Sequence, residues 1–186
     1  NPLQWSPDSA PEGPAAALRG PRWSAGAFAG LHPSSAVDQM AGDLQVKELR
    51  LMYAAGEAVY LAQETPQRSR VISMHGESFA QFPPGRVLQL MMQASYPRGL
   101  AEARVVTQYE SYYIDRNHQK PLPVLLVRLD DKERSMYYID LKTAQVVESY
   151  DGRSRLNRWL YHGLHSMDLP WLYRNRPAWD FVVLAL

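Results

Sequence analysis

A chain of 186 residues suits one large domain or two small ones, and at 46% hydrophobic it can bury a true core. Its formal net charge of +1 argues against nucleic-acid binding by bulk electrostatics. Without cysteine it can form neither disulfides nor thiolate metal sites.

Residues 1–30 are rich in Pro, Gly, Ala and Ser and have little to bury, so a flexible lead is expected there. Its first twenty residues carry neither the basic nor the apolar region of a signal peptide. Ordered structure is expected from "HPSSAVDQMAGDL", with Ser34 or Ser35 capping a helix whose apolar face is Val37, Met40, Ala41 and Leu44. A strand through Val46, Leu49, Leu51 and Tyr53 then turns at Ala54–Glu57 into a second strand with Val59, Tyr60 and Leu61. "RVISMHGESF" reads as a third strand.

The order then repeats. "PPGRVLQLMMQASYP" reads as a helix, with Pro84 in its first turn and Val87, Leu88, Met91 and Met92 on its apolar face. "AEARVVTQYESYYID" reads as a strand with aromatics at alternating positions. "LPVLLVRL", "SMYYIDL" and "VVESY" read as strands separated by the turns "DDKER" and "KTAQ". A helix followed by antiparallel strands thus occurs twice, and "ETPQRSRVI" echoes "DDKERSMYY" at the same place in each unit. The expected fold class is α+β: two units, each a helix packed on antiparallel strands, followed by a helical arm.

The arm begins near residue 156 and crowds aromatics and arginines ahead of an apolar end, "FVVLAL". Trp159, Trp171, Tyr173 and Trp179 suit a membrane interface, where a ring lies half buried and its polar edge stays wet. Arg158, Arg174 and Arg176 can reach lipid phosphates from the same place. No stretch approaches the ~18 apolar residues of a membrane span. Asp180 and the six residues after it therefore read as the first turns of a truncated transmembrane helix. The competing reading is an aromatic helix packed on its own sheet.

The second unit resembles the PepSY family. The residues that carry the resemblance are the helix "PPGRVLQLMMQASYP", the strands "VLLVRLDDKERSMYYIDLKTAQVVESY" and the turn Asp140-x-x-Thr143. Where the family often has a glycine after the threonine, this chain has Ala144, so a positive φ is not expected there. The resemblance covers roughly residues 31–186 and implies three segments after the lead at 1–30: a degenerate unit at 31–82, a second unit at 83–155 and a juxtamembrane arm at 156–186. The arm is similar to the linker into a helix of PepSY-associated bacterial inner-membrane proteins. There the units sit on the periplasmic side, between membrane helices. The implied function is non-enzymatic: an extracytoplasmic domain that binds a ligand or partner, such as a peptide, protein or siderophore, with a peptidase-regulating role among the family's suspected ones. The implied neighbours are inner-membrane lipid and, through the arm, a second copy of the chain.

Candidate chemistry is sparse. His162 and His165 are three apart and would share a helix face, where two imidazoles can hold a metal or ligate haem. No HExxH pattern or cysteine supports them, and local interfacial hydrogen bonding is the simpler reading. Tyr112, Tyr113 and His118, in "SYYIDRNHQKP", are candidates for lining a ligand groove, against the commoner alternative of an ordinary aromatic strand. "RLDDKER" reads as a solvated hairpin tip, and Met91 and Met92 as core. No GxSxG elbow or Gly-rich phosphate loop occurs, so no catalytic residue is assigned and no cofactor is expected in this chain. The alternative function is the extracytoplasmic part of a ferric-reductase-type membrane protein in iron or siderophore handling. Its haem would lie in the full-length protein, with His165 at most a boundary ligand.

Overall fold

The computed structural model describes residues 14–18, 24–65, 67–115, 117 and 119–158. The fold is mixed α+β, with two four-stranded antiparallel sheets and a few short helices. Helix α1 (Pro14–Leu18) is followed by a 3-10 turn at Ala25–Phe28 and by α2 (Pro33–Met40). The first sheet is a meander of β1 (Glu48–Ala54), β2 (Glu57–Gln63), β3 (Ser69–Ser73) and β4 (Ser78–Phe79). Helix α3 (Pro84–Ser95) leads into the second meander: β5 (Gly99–Val106), β6 (Val124–Asp130), β7 (Met136–Asp140) and β8 (Val146–Tyr150). Helix α4 (Gly152–Arg158) follows.

Strand alternation sorts the core into layers. On β2 and β3, Tyr60, Ala62 and Ile72 pack with Ala36 and Met40 of α2 and with Leu44. The opposite face, with Val59, Leu61 and Val71, meets Val87 and Met91 of α3. The same cluster takes in Leu125, Val127 and Leu129 of β6 and Ile139 of β7, so α3 fills the space between the sheets. The far face of the second sheet gathers Val106, Val124, Leu126, Met136, Tyr138 and Tyr150 with Tyr113 from the β5–β6 connection. The order is α2, first sheet, α3, second sheet, tyrosine-rich connection. Within the lead, Leu18 is buried in the central cluster and Phe28 meets Tyr53 edge-on, ring centroids 5.4 Å apart.

Several local expectations need correction. Helix α2 begins earlier than its serines suggest: Pro33 takes the first position, and His32 caps it through the Ser34 N–H, which donates to Nδ1 at 3.3 Å. Its buried face is Ala36, Met40 and then Leu44, while Val37 and Ala41 face solvent. Met91 is fully buried, but Met92, one residue on, is 45% exposed. The expected third strand splits into β3 and β4. Ser73 Oγ accepts from the His75 and Glu77 N–H groups, and Gly76 turns at φ 84°. The expected long aromatic strand stops at Val106. Ala144 does adopt a positive φ, 51°, and its methyl is fully buried in the central core, which favours a side chain there over glycine.

The β1–β2 hairpin closes through Ala55 and Gly56, both at positive φ, as a right-twisted two-residue turn requires. Ala55 also contributes a buried methyl. Arg134, at φ 47° in the β6–β7 turn, has no such compensation because it is exposed. Left-handed backbone costs an L-residue roughly 1–2 kcal/mol, and glycine's extra unfolded freedom returns roughly half of that. Arg134→Gly is expected to stabilise the fold by about 0.5–1 kcal/mol, raising the melting temperature by roughly 2–4 °C per kcal/mol. Calorimetry showing a lower melting temperature would refute this.

Candidate functional site

The outer face of the second sheet holds the tyrosine layer that contains two of the sequence-selected residues. After β5, the described residues of the stretch 107–123 fold back over the sheet. The composition gives a physical reason: Asp115 and Asn117 favour a side-chain-stabilised turn, and Pro121 and Pro123 cannot donate to a strand ladder. Asp115 accepts from the Asn117 N–H at 3.0 Å and the Lys120 N–H at 2.7 Å, as well as from the Gln119 N–H. A small reverse turn pairs Glu110 with Tyr113 through both backbone bonds, 3.1 and 2.9 Å.

Tyr113 is fully buried and stacks on Tyr138 of β7, with centroids 4.9 Å apart. Tyr109 stacks behind it at 6.0 Å. Tyr112 is half-buried and meets Tyr150 of β8 edge-on at 5.7 Å. The hydroxyls point into hydrogen bonds: Tyr113 donates to the Pro121 carbonyl at 2.8 Å, Tyr109 to the Lys120 carbonyl at 2.9 Å, and Tyr138 to Glu110 Oε1 at 2.8 Å. Charges frame the layer. Arg104 bridges Glu102 and Glu110, and Arg128 also reaches Glu102 at 3.0 Å. Lys120 sits 5.4 Å above the Tyr113 ring and pairs with Glu148 of β8.

Burial pushes the phenols of Tyr113 and Tyr138 well above their ordinary range, and neighbouring carboxylates add to the shift. Both hydroxyls are engaged as hydrogen-bond donors, to the Pro121 carbonyl and to Glu110. The arrangement provides an aromatic surface with half-buried Tyr109 and Tyr112 at its boundary.

Tyr112 and Tyr113 thus lie in one layer in different roles: Tyr113 is packing, and Tyr112 is the one with an accessible edge. His118 lies outside the described residues. So do Trp159, His162, His165, Trp171, Tyr173, Arg174, Arg176 and Trp179. Tyr109, Glu110, Lys120, Tyr138 and Glu148 complete the layer, and sequence reading did not select them. The signal that could have found them is the Asp115–Asn117 turn between two tyrosine-rich stretches, which marks a chain reversal. The "RLDDKER" tip is a turn in which Asp131 accepts from the Ser135 N–H at 2.8 Å and from its hydroxyl at 2.7 Å.

Among the described residues, no group of three or more His, Asp or Glu gathers as a metal site, and no helix is long and apolar enough to cross a membrane. No family model, curated protein or solved structure matches the chain.

The depressed carboxyls make an acid-limb prediction. Asp115 is held below the usual aspartate value of 3.8 by the Lys120 and Asn117 N–H groups, and Asp151 by the Ser154 N–H. A carboxyl with a lowered folded pKa adds stability that is fully present above its unfolded value and disappears as pH falls through the folded value. The stability gap between the unmodified chain and an Asp115→Asn/Asp151→Asn variant should be constant from pH 7 to about pH 5 and narrow below that. Urea midpoints measured at pH 7, 5 and 2.5 test this, and a gap no narrower at pH 2.5 than at pH 7 would contradict it.

Proposed function

We propose that this chain is a non-enzymatic extracytoplasmic binding domain of the PepSY kind, carried by a bacterial inner-membrane protein. The observation behind this reading is the duplicated unit, a helix followed by a four-stranded antiparallel meander, stacked through α3. In the second unit the Asp140-x-x-Thr143 turn is closed by Asp140, which accepts from the Thr143 hydroxyl at 2.8 Å and from the Lys142 N–H at 3.0 Å. A partner peptide or protein would be taken by strand addition at a sheet edge, or against the boundary of the tyrosine layer. A siderophore or other small ligand would use the same boundary. Binding would be coupled to the membrane through the C-terminal arm, which enters α4 directly from β8.

Helix α4 supports that coupling. The Arg155 guanidinium donates to the carbonyls of Glu133 and Arg134, and so ties the root of the arm to the β6–β7 turn. Force on the arm would therefore reach the second sheet.

The test is partitioning onto vesicles of bacterial lipid, where the full chain should bind and a chain ending at Leu156 should not. Haem titration separates the ferric-reductase alternative. Stoichiometric submicromolar binding abolished by His165→Ala would favour that alternative, and weak, non-stoichiometric binding is the expected outcome.

A further inference from the structure

We infer that residues 107–123 are a stop cap: on the second sheet they hold the place that a helix holds on the first, and so close a stack that could otherwise accept another unit.

The molecule supplies its own comparison. Helix α3 is both the helix of the second unit and the cover of the first sheet's far face, where Val59, Leu61 and Val71 meet it. The second sheet presents Val124, Leu126 and Tyr138 at the corresponding strand positions, on the face turned away from α3. By the geometry of the repeat, that face is shaped for a helix of a following unit. The β5–β6 connection lies there instead. It runs from Val106 to Val124, whereas β1 and β2 are joined by Ala55 and Gly56 alone. Stacked arrays need such terminal covers, because an open end exposes a face meant for a neighbour.

The cap is held in two ways. Tyr113 supplies the apolar filling by stacking on Tyr138. Polar latches hold its far side: Asp115 gathers backbone N–H groups, and Lys120 reaches both the Ile114 carbonyl at 2.9 Å and Glu148 on β8. These contacts are half-buried at the rim of the second sheet and lie outside the cluster around α3, so the cap can open without dismantling that core. Once bare, the outer face would exceed the apolar patch that a soluble monomer tolerates, and it would pair with the same face of a second copy.

The experiment uses the 186-residue chain and its Tyr109→Ser/Tyr113→Ser variant, followed by hydrogen exchange and sedimentation velocity at tens of micromolar. The expected result is at least about tenfold faster amide exchange confined to residues 107–123 and the outer edge of the second sheet, with α3 and β1–β3 unchanged. The variant should also sediment as a dimer that the unmodified chain does not form. Loss of protection in α3 and the first sheet together with the loop would overturn the inference, since the loop would then be part of the common core. So would an opened loop on a chain that sediments like the unmodified one. If the tyrosine variant fails to fold, Lys120→Ala decides by exchange alone. A local rise within 107–123 supports the cap; a global rise, or none, overturns it.

Discussion

Met91→Ala is expected to destabilise both sheets together, by about 2–5 kcal/mol, a large share of the roughly 5–15 kcal/mol available to a domain. Met91 is fully buried in the cluster that takes side chains from β2 and β3 on one side and from β6 and β7 on the other. Truncating it leaves a void that neither sheet can close alone, because Met91 lies in the layer that α3, together with Leu18 of α1, forms between them. The melting temperature should fall by roughly 2–4 °C per kcal/mol for a chain of this size. A single cooperative transition should remain, since the two sheets share the damage. Met92 is the internal control. It is adjacent in sequence but half exposed, so Met92→Ala should change stability by about 0.5 kcal/mol or less. Thermal unfolding followed by far-UV circular dichroism measures both. Two separated transitions in Met91→Ala would mean that each sheet has its own core, and the layered arrangement would fail.

Met91 and Met92 show what periodicity can and cannot say. Helical spacing identified α3 and its apolar stripe, but both methionines fit that stripe, and only the position of two sheets separates the buried one from the exposed one. The hairpins were readable because short-range chemistry decides them. Ala55–Gly56 and the turns after Asp130 and Asp140 depend on backbone preferences within a few residues. The aromatic stretch after β5 was not readable as a strand-to-loop change, because Tyr109 and Tyr113 suit a strand face equally well. Their burial depends on Tyr138, contributed by a distant strand. Ala144 was misread for a similar reason. The usual preference for glycine at positive φ is a local rule, and here the buried methyl outweighs it. The candidate site follows the same division. Tyr112 and Tyr113 were visible as aromatics, but the partners that define the layer, Glu110, Lys120 and Glu148, are ordinary charged residues until the fold brings them together.

The C-terminal arm carries the second large effect. Removing residues 157–186 is expected to weaken binding to vesicles of phosphatidylethanolamine and phosphatidylglycerol by at least about a hundredfold, or roughly 2.8 kcal/mol. The segment contains Trp159, Trp171, Tyr173 and Trp179, with Arg174 and Arg176 between them. Each ring carries about 150–250 Å² of surface, so half-burying four of them removes roughly 300–500 Å² from water. At about 25 cal/mol per Å² this is a gross gain of several kcal/mol, enough to leave the expected margin after the ordering of the segment is subtracted. Arginines add attraction to the anionic headgroups, worth about 1 kcal/mol each near the surface. The cut after Leu156 spares Arg155, whose hydrogen bonds to Glu133 and Arg134 anchor α4, so the truncated chain should remain folded and serve as a fair comparison. Trp171→Ser/Trp179→Ser in the full chain removes two rings and no charge, and should cost roughly tenfold to a hundredfold. High salt should weaken the full chain's binding only in part, because the aromatic contribution is not screened. Equal vesicle binding by the full, truncated and tryptophan-substituted chains would assign these aromatics to protein packing, and the proposal that the arm leads into a membrane would be abandoned.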